Sequence, residues 1–175
     1  MIITLSGLPG SGKTSVAKEL ASRYGFVIIS AGEQFRKLAQ ERGMTLQEFG
    51  ELAENDATID IAIDNRQKEL ALKQKNALVE GRLAGRTIDA DLKIWLKAPL
   101  SVRAQRISRR ESIPESQALE DTRIREACEV LRYKKFYNID QQDWSCYDLI
   151  IDTGHWDAKG VADIICLAIN ELKCK

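Results

Sequence analysis

Residues 7–14 read Gly7-Leu8-Pro9-Gly10-Ser11-Gly12-Lys13-Thr14, which fits G-x-x-x-x-G-K-[ST]. The apolar run Met1-Ile2-Ile3-Thr4-Leu5 precedes it, and Ser15-Val16-Ala17-Lys18-Glu19-Leu20 follows with helical character. Buried strand, glycine loop and helix are the context this motif requires. Glycines let the backbone turn tightly and bring its N–H groups up to phosphate oxygens. The helix N-terminus adds the positive end of its dipole. In this reading residues Gly7 to Ser15 cradle a nucleoside triphosphate. Lys13 reaches the β- and γ-phosphates, and the Thr14 hydroxyl takes a Mg²⁺ coordination position.

The chain has 175 residues, enough for one domain with its own core. Lys plus Arg and Asp plus Glu each number 26, so the formal net charge is zero. That balance excludes a surface built for nucleic acid and confines any basic site to a local patch. Cys128, Cys146, Cys166 and Cys174 show no C-x-x-C spacing and read as free thiols of a reducing compartment. No apolar stretch is long enough to span a bilayer. The expectation is a cytoplasmic monomer without a leader segment, nucleic-acid partner or membrane partner.

Hydrophobic periodicity places strands at Phe26–Ile29, Ala77–Val79, Leu92–Leu96 and Leu149–Asp152, after the first at the N-terminus. Helices are expected over about Gly12–Tyr24, Glu33–Arg42, Thr45–Glu54, Thr58–Lys73, Pro99–Arg110, Pro114–Tyr137 and Ala158–Leu172. Thr45-Leu46-Gln47-Glu48 has the form of a capping box. Strands alternating with helices imply an α/β fold with a five-stranded parallel sheet and helices on both faces. Ligands then bind beyond the carboxyl ends of the strands. Ser30-Ala31-Gly32, Glu80-Gly81-Arg82 and Asp152-Thr153 join the glycine loop there.

An acid at the end of an apolar strand, Glu80, suits a second metal-site carboxylate. The arginines are the other signal. Arg36, Arg66 and Arg82 flank the strand ends, and Arg103, Arg106, Arg109, Arg110, Arg123, Arg125 and Arg132 populate the two later helices. Arg125, Glu129 and Arg132 fall at i, i+4 and i+7 and share a helix face. Phosphoryl transfer needs several cations around the moving group, and arginine suits bidentate phosphate contact. Arg125 and Arg132 are therefore read as phosphate-clamping residues on a lid, catalytic together with Lys13 of the glycine loop. His155, the single histidine, lacks an evident acid–base partner.

Taken in order, several segments resemble the cytidylate kinases of the nucleoside monophosphate kinase family, the short archaeal type most of all. They are the glycine loop, Ile29-Ser30-Ala31-Gly32-Glu33-Gln34-Phe35-Arg36, Asn65-Arg66-Gln67 and Val79-Glu80-Gly81-Arg82-Leu83-Ala84-Gly85. Ala98 to Arg106, Arg125 to Tyr133 and Tyr147 to Thr153 continue the match over nearly the whole length. The resemblance implies a P-loop NTPase fold that converts ATP and CMP (or dCMP) to ADP and CDP with Mg²⁺. It implies a monophosphate-binding helical segment over about 33–73 and a lid over about 106–132. It sets Ser30, Gly32, Glu80 and Gly81 in the acceptor site, with Arg36 and Arg82 near the acceptor phosphate, Arg66 near its base and Arg106 near the adenine or phosphate chain of ATP. Thr14 and Glu80 are the implied metal ligands.

Three positions depart from the family pattern. Leu83 replaces an acid of bacterial relatives, Glu33 an aspartate, and Arg86 a frequent archaeal tryptophan. The alternatives are a kinase for AMP or UMP and a non-catalytic ATP-binding module. A GTPase switch lacks its Asn-Lys-x-Asp sequence, which Lys75-Asn76 does not supply.

Overall fold

The computed structural model describes residues 1–173; Cys174 lies outside the described residues. Strand β1 (Ile2–Ser6) is followed by α1 (Lys13–Tyr24), β2 (Val27–Ser30), α2 (Ala31–Glu41), α3 (Leu46–Asn55) and α4 (Ala57–Leu72). Then come β3 (Ala77–Gly81), a short α5 (Ala84–Thr87), β4 (Leu92–Lys97), α6 (Leu100–Glu111), α7 (Glu115–Tyr137), β5 (Leu149–Asp152) and α8 (Ala158–Lys173). The strands form one parallel sheet in the order β2-β3-β1-β4-β5. The chain leaves β1 toward one edge, returns through β3 and crosses to β4. The crevice at that switch lies over the carboxyl ends of β3, β1 and β4.

The sheet is covered on both faces, as its near-continuous apolar strands require. Ile3, Leu5, Ile94, Leu96 and Ile151 pack against Val16 and Leu20 of α1 and Val161, Ile165 and Ile169 of α8. Ile29, Ala77 and Val79 point the other way, against Ala71 of α4 and Ala84 of α5. A separate cluster of Ala39, Phe49, Ala53, Ile59 and Ile63 ties α2, α3 and α4 together. Phe49 is fully buried there, worth about 2–3 kcal/mol of apolar transfer. Ala104, Ile107 and Ala118 join α6 to α7. Ser112 (φ 56°) and Asn138 (φ 52°) end those two helices in the left-handed region.

Several boundaries move from those expected. Phe26 precedes β2 rather than opening it, and β3 extends through Glu80 and Gly81. Helix α2 starts at Ala31, two residues before the expected Glu33. The Ser30 hydroxyl accepts from Glu33 N at 3.3 Å and caps this helix. Helix α5 was not foreseen, since four residues carry no readable period. The capping box is present: Glu48 N donates to Thr45 Oγ1 at 3.2 Å, and Thr45 N to Glu48 Oε2 at 2.8 Å. Cys128, Cys146 and Cys166 are free thiols.

Candidate active site

A cavity of roughly 1600 Å³ opens at the carboxyl edge of the sheet. Pockets for a single small ligand run about 300–1000 Å³, so this one has room for two substrates. Its walls are the glycine loop, the start of α2, the inner face of α4, the end of β3 and the α6–α7 pair.

The loop residues shape the floor. Gly7 has φ 149° and a Cβ there would lie 2.2 Å from the Leu96 carbonyl oxygen. Gly10 has φ 74° and a Cβ would meet the Arg103 carbonyl oxygen at 2.6 Å. A side chain fits neither position, so the loop stays tight against β4 and α6. Gly12 precedes α1 without any side-chain cap, leaving first-turn N–H groups available to an anion.

Lys13 folds back over this loop. Its Nζ donates to the Gly7 carbonyl at 2.8 Å and the Leu8 carbonyl at 2.9 Å, with the Ser11 hydroxyl at 3.4 Å. Burial pushes the Lys13 pKa well below the ordinary lysine value, and the Arg82 charge adds to this; Glu80 and Glu129 oppose it. An anion bound at the loop would remove that penalty.

Glu80, 5% exposed, faces the start of α1. The Thr14 hydroxyl donates to Glu80 Oε1 at 3.1 Å, while Glu80 Oε2 is buried without a partner. An orphaned carboxylate oxygen beside a hydroxyl is a hard-oxygen donor set, which fits Mg²⁺ held directly or through water. Gln67, 1% exposed, donates from Nε2 to the Ile29 carbonyl at 3.1 Å and the Glu80 carbonyl at 3.0 Å. It thereby fixes the ends of β2 and β3 to α4. Sequence reading missed this role, because a glutamine within a helix carries no sign of carbonyls on distant strands.

The arginines divide into three groups. Arg82 Nε and Arg125 Nε each donate to the Glu129 carboxylate at 3.0 Å, one to each oxygen. Burial opposes the Glu129 charge, but the two guanidinium groups outweigh it and hold its pKa below the usual carboxylate range. Arg132 Nε lies 2.9 Å from Asp60 Oδ2. Arg36 faces the cavity with no ion-pair partner among the described residues. All four line the cavity, as do Ser30, Gly32 and Gly81.

Arg106 lines the cavity between the glycine loop and Thr153. It donates to the Gly10 carbonyl at 3.3 Å, the Thr153 hydroxyl at 2.9 Å and the Thr153 carbonyl at 2.7 Å. Arg103 is a scaffold residue: buried, it donates to the Pro9 carbonyl at 3.2 Å and the Ala98 carbonyl at 3.0 Å and pairs with Glu126.

Arg66 is not brought to the cavity wall. It pairs with Glu41 at 3.1 Å, where α4 meets α2. Arg86 is also outside the cavity wall, paired with Asp143 at 3.0 Å. Leu83 does line the cavity and is nearly buried. His155 is exposed and absent from the wall. Trp95 is a packing residue, stacked on Trp144 at 6.2 Å.

With this geometry in place, comparisons with known proteins are informative. Residues 2–155 match the cytidylate kinase-like family. The chain belongs to that family. A protein named cytidylate kinase from Methanocella arvoryzae is 71% identical over 173 residues, covering 99% of each chain. Relatives of the same name from Methanocaldococcus jannaschii (52% identical, 99% of each chain) and Methanococcoides burtonii (51%, 97% of each) extend the family match. Among solved structures, a shikimate kinase from Acinetobacter baumannii in complex with shikimate superposes with TM-score 0.63 at 21% identity, covering 99% and 95% of the two chains. An uncharacterized protein from Eubacterium ventriosum gives TM-score 0.72 at 22% identity, covering 97% and 98%. These two likenesses establish the fold, a parallel α/β sheet with helices on both faces, as the alternating strands and helices foretold. Among the described residues, no helix is long and apolar enough to cross a membrane.

Proposed function

We propose that this protein transfers the γ-phosphoryl group of ATP to CMP, giving ADP and CDP, and accepts dCMP at the same site. The observation that carries this reading is the juxtaposition of a triphosphate loop with Arg36, Arg82, Arg125 and Arg132 across one cavity. Relatives matched end to end and named cytidylate kinase support the acceptor. A pure binding module has no use for such a cation set opposite the triphosphate. An acceptor that already carries a phosphate does.

The chemistry needs no covalent nucleophile. A phosphate oxygen of the acceptor attacks the γ-phosphorus in line, and the protein positions both anions and neutralises developing charge. Lys13 leaves the Gly7 and Leu8 carbonyls for the β- and γ-phosphates, as burial without a counter-ion favours. Arg36 and Arg82 take the acceptor phosphate, and Arg125 and Arg132 close over the transferring group. Arg82 and Arg125 must first exchange Glu129 for phosphate oxygens. Thr14 and Glu80 would hold Mg²⁺, which supplies charge neutralisation on the β- and γ-phosphates. Arg106 borders the adenine side with Thr153. Segment α2–α4 and the α6–α7 pair exclude water as they close, which suppresses ATP hydrolysis. Arg66, at the α2–α4 junction, is proposed to approach the base only in that closed form.

Release of ADP from ATP and Mg²⁺, measured with and without CMP, tests the reading. Release must depend on CMP; acceptor-independent release would identify an NTPase instead.

A further inference from the structure

The acceptor half of the cavity contains one polar group that the phosphate contacts leave unused. Asp60 and Asp64 lie one turn apart on α4, and both line the cavity beside Ile63. Most acids along this wall are already committed. Glu129 is shared by Arg82 and Arg125, Asp60 pairs with Arg132, Glu33 lies 3.0 Å from Lys37 Nζ, and Glu80 accepts from Thr14.

Asp64, like Glu80, has no cation partner among the described residues, but it lies on α4 rather than against the first turn of α1. Its Oδ2 accepts a hydrogen bond from the Tyr137 hydroxyl at 3.1 Å. Burial raises its pKa to about 6; the Tyr137 bond works against that rise and the Asp60 charge adds to it. Tyr137 comes from α7 and stands edge-on to Tyr133 with ring centroids 6.2 Å apart, so the hydroxyl that aims Asp64 is itself held by packing. An uncompensated, oriented carboxylate at a cavity wall costs stability unless a ligand donor meets it.

The base edge supplies such a donor. Cytosine carries an exocyclic amine where uracil carries a carbonyl oxygen. A carboxylate accepts from the amine and repels the carbonyl, and a site built for a polar group rejects the analogue that lacks it. Leu83, on the same wall, has no polar atom to offer. Resting on the reading of CMP as acceptor, we infer that Asp64, aimed by Tyr137, accepts a hydrogen bond from the exocyclic amine of cytosine and sets the preference over uracil nucleotides. Asp64 is the binding residue here and Tyr137 its positioning residue.

The test is steady-state kinetics with CMP, dCMP and UMP for the wild type, Asp64→Asn, Asp64→Ala and Tyr137→Phe, each checked for folding by circular dichroism. In Asp64→Asn and Asp64→Ala the ratio of kcat/KM for CMP over UMP falls at least about tenfold, the size of one lost hydrogen bond to a polar edge. The change lies mostly in the KM for CMP, and the CMP-to-dCMP ratio holds. Tyr137→Phe raises the KM for CMP with kcat retained. An unchanged CMP-to-UMP ratio in both Asp64 variants overturns the inference. So does a change confined to the CMP-to-dCMP ratio, which would give Asp64 to the sugar. Wild-type turnover of CMP reports on the parent reading separately: turnover with unmoved ratios sinks only the role of Asp64.

Discussion

The Thr14 hydroxyl donates to Glu80 Oε1 at 3.1 Å across a separation of 66 residues, while the second oxygen of Glu80 is buried and unpartnered. This contact ties the first turn of α1 to the end of β3, the pair of residues proposed to hold Mg²⁺. Replacing Glu80 with Gln keeps the size and one acceptor but removes the charge. Glu80→Gln should raise the Mg²⁺ concentration needed for half-maximal turnover by at least about tenfold, as loss of one charge-assisted contact implies. A magnesium titration of initial rates checks this, and an unshifted midpoint would remove Glu80 from the metal site.

Lys13 rests on the loop carbonyls and is buried, so its ammonium is poised to exchange carbonyl for phosphate oxygens. Lys13→Ala should cut kcat by about 10²–10³-fold or more, in line with loss of a group that stabilises developing charge. Turnover within a few fold of wild type would contradict the placement.

Arg36 lines the cavity with no ion-pair partner among the described residues, so its removal leaves no orphaned carboxylate there, and it is proposed to take the acceptor phosphate. Arg36→Ala should raise the KM for CMP by about tenfold or more and leave the KM for ATP nearly unchanged. An effect confined to ATP would reverse the assignment of donor and acceptor sides.

Glu129 is 4% exposed and held by two guanidinium groups. Removing its charge leaves Arg82, itself largely buried, without compensation. Glu129→Gln should lower the stability of the ligand-free protein by about 2–4 kcal/mol. Arg125 is mostly exposed, so most of the loss comes from Arg82. CMP should recover more stability in this variant than in the wild type, because its phosphate replaces the missing charge. Chemical denaturation with and without CMP measures both; equal stabilisation by CMP in the two proteins would argue against exchange of Glu129 for phosphate.

Asp64 gives a pH signature with a definite sign. Its native pKa of about 6 lies above the unfolded value of 3.8, so the native state binds the proton more tightly. Stability from this group is present below about pH 4 and is lost as pH rises through about 6. Asp64→Asn cannot ionise and should be more stable than wild type by about 1–3 kcal/mol at pH 8, with the gap closing toward pH 4. Melting temperatures of both proteins across that range decide it; a gap independent of pH would show that Asp64 does not titrate as argued.

The legibility of these features in the sequence follows their physics. The glycine loop was readable because its spacing and its strand and helix flanks are fixed by one local geometry. The parallel sheet followed from alternating periodicities, and Thr45 with Glu48 marked a helix start through contacts three residues apart. Gln67 and Asp64 were not readable. Their partners, Ile29 and Tyr137, lie 38 and 73 residues away, and nothing local marks such pairs. Glu129 appeared as an ordinary i+4 partner of Arg125; only the approach of Arg82, 47 residues distant, makes it a buried bridge. Arg66 shows the converse limit, since its motif is local but its side chain turns to Glu41 rather than to the cavity.

Transfer between two nucleotides yields two products at once, so the most direct measurement follows both together. Phosphorus NMR of the protein with ATP, Mg²⁺ and CMP should show CDP and ADP growing at equal rates while inorganic phosphate stays flat. Parallel samples with UMP and AMP should be much slower. Inorganic phosphate rising with ADP, or no consumption of CMP, would contradict the account.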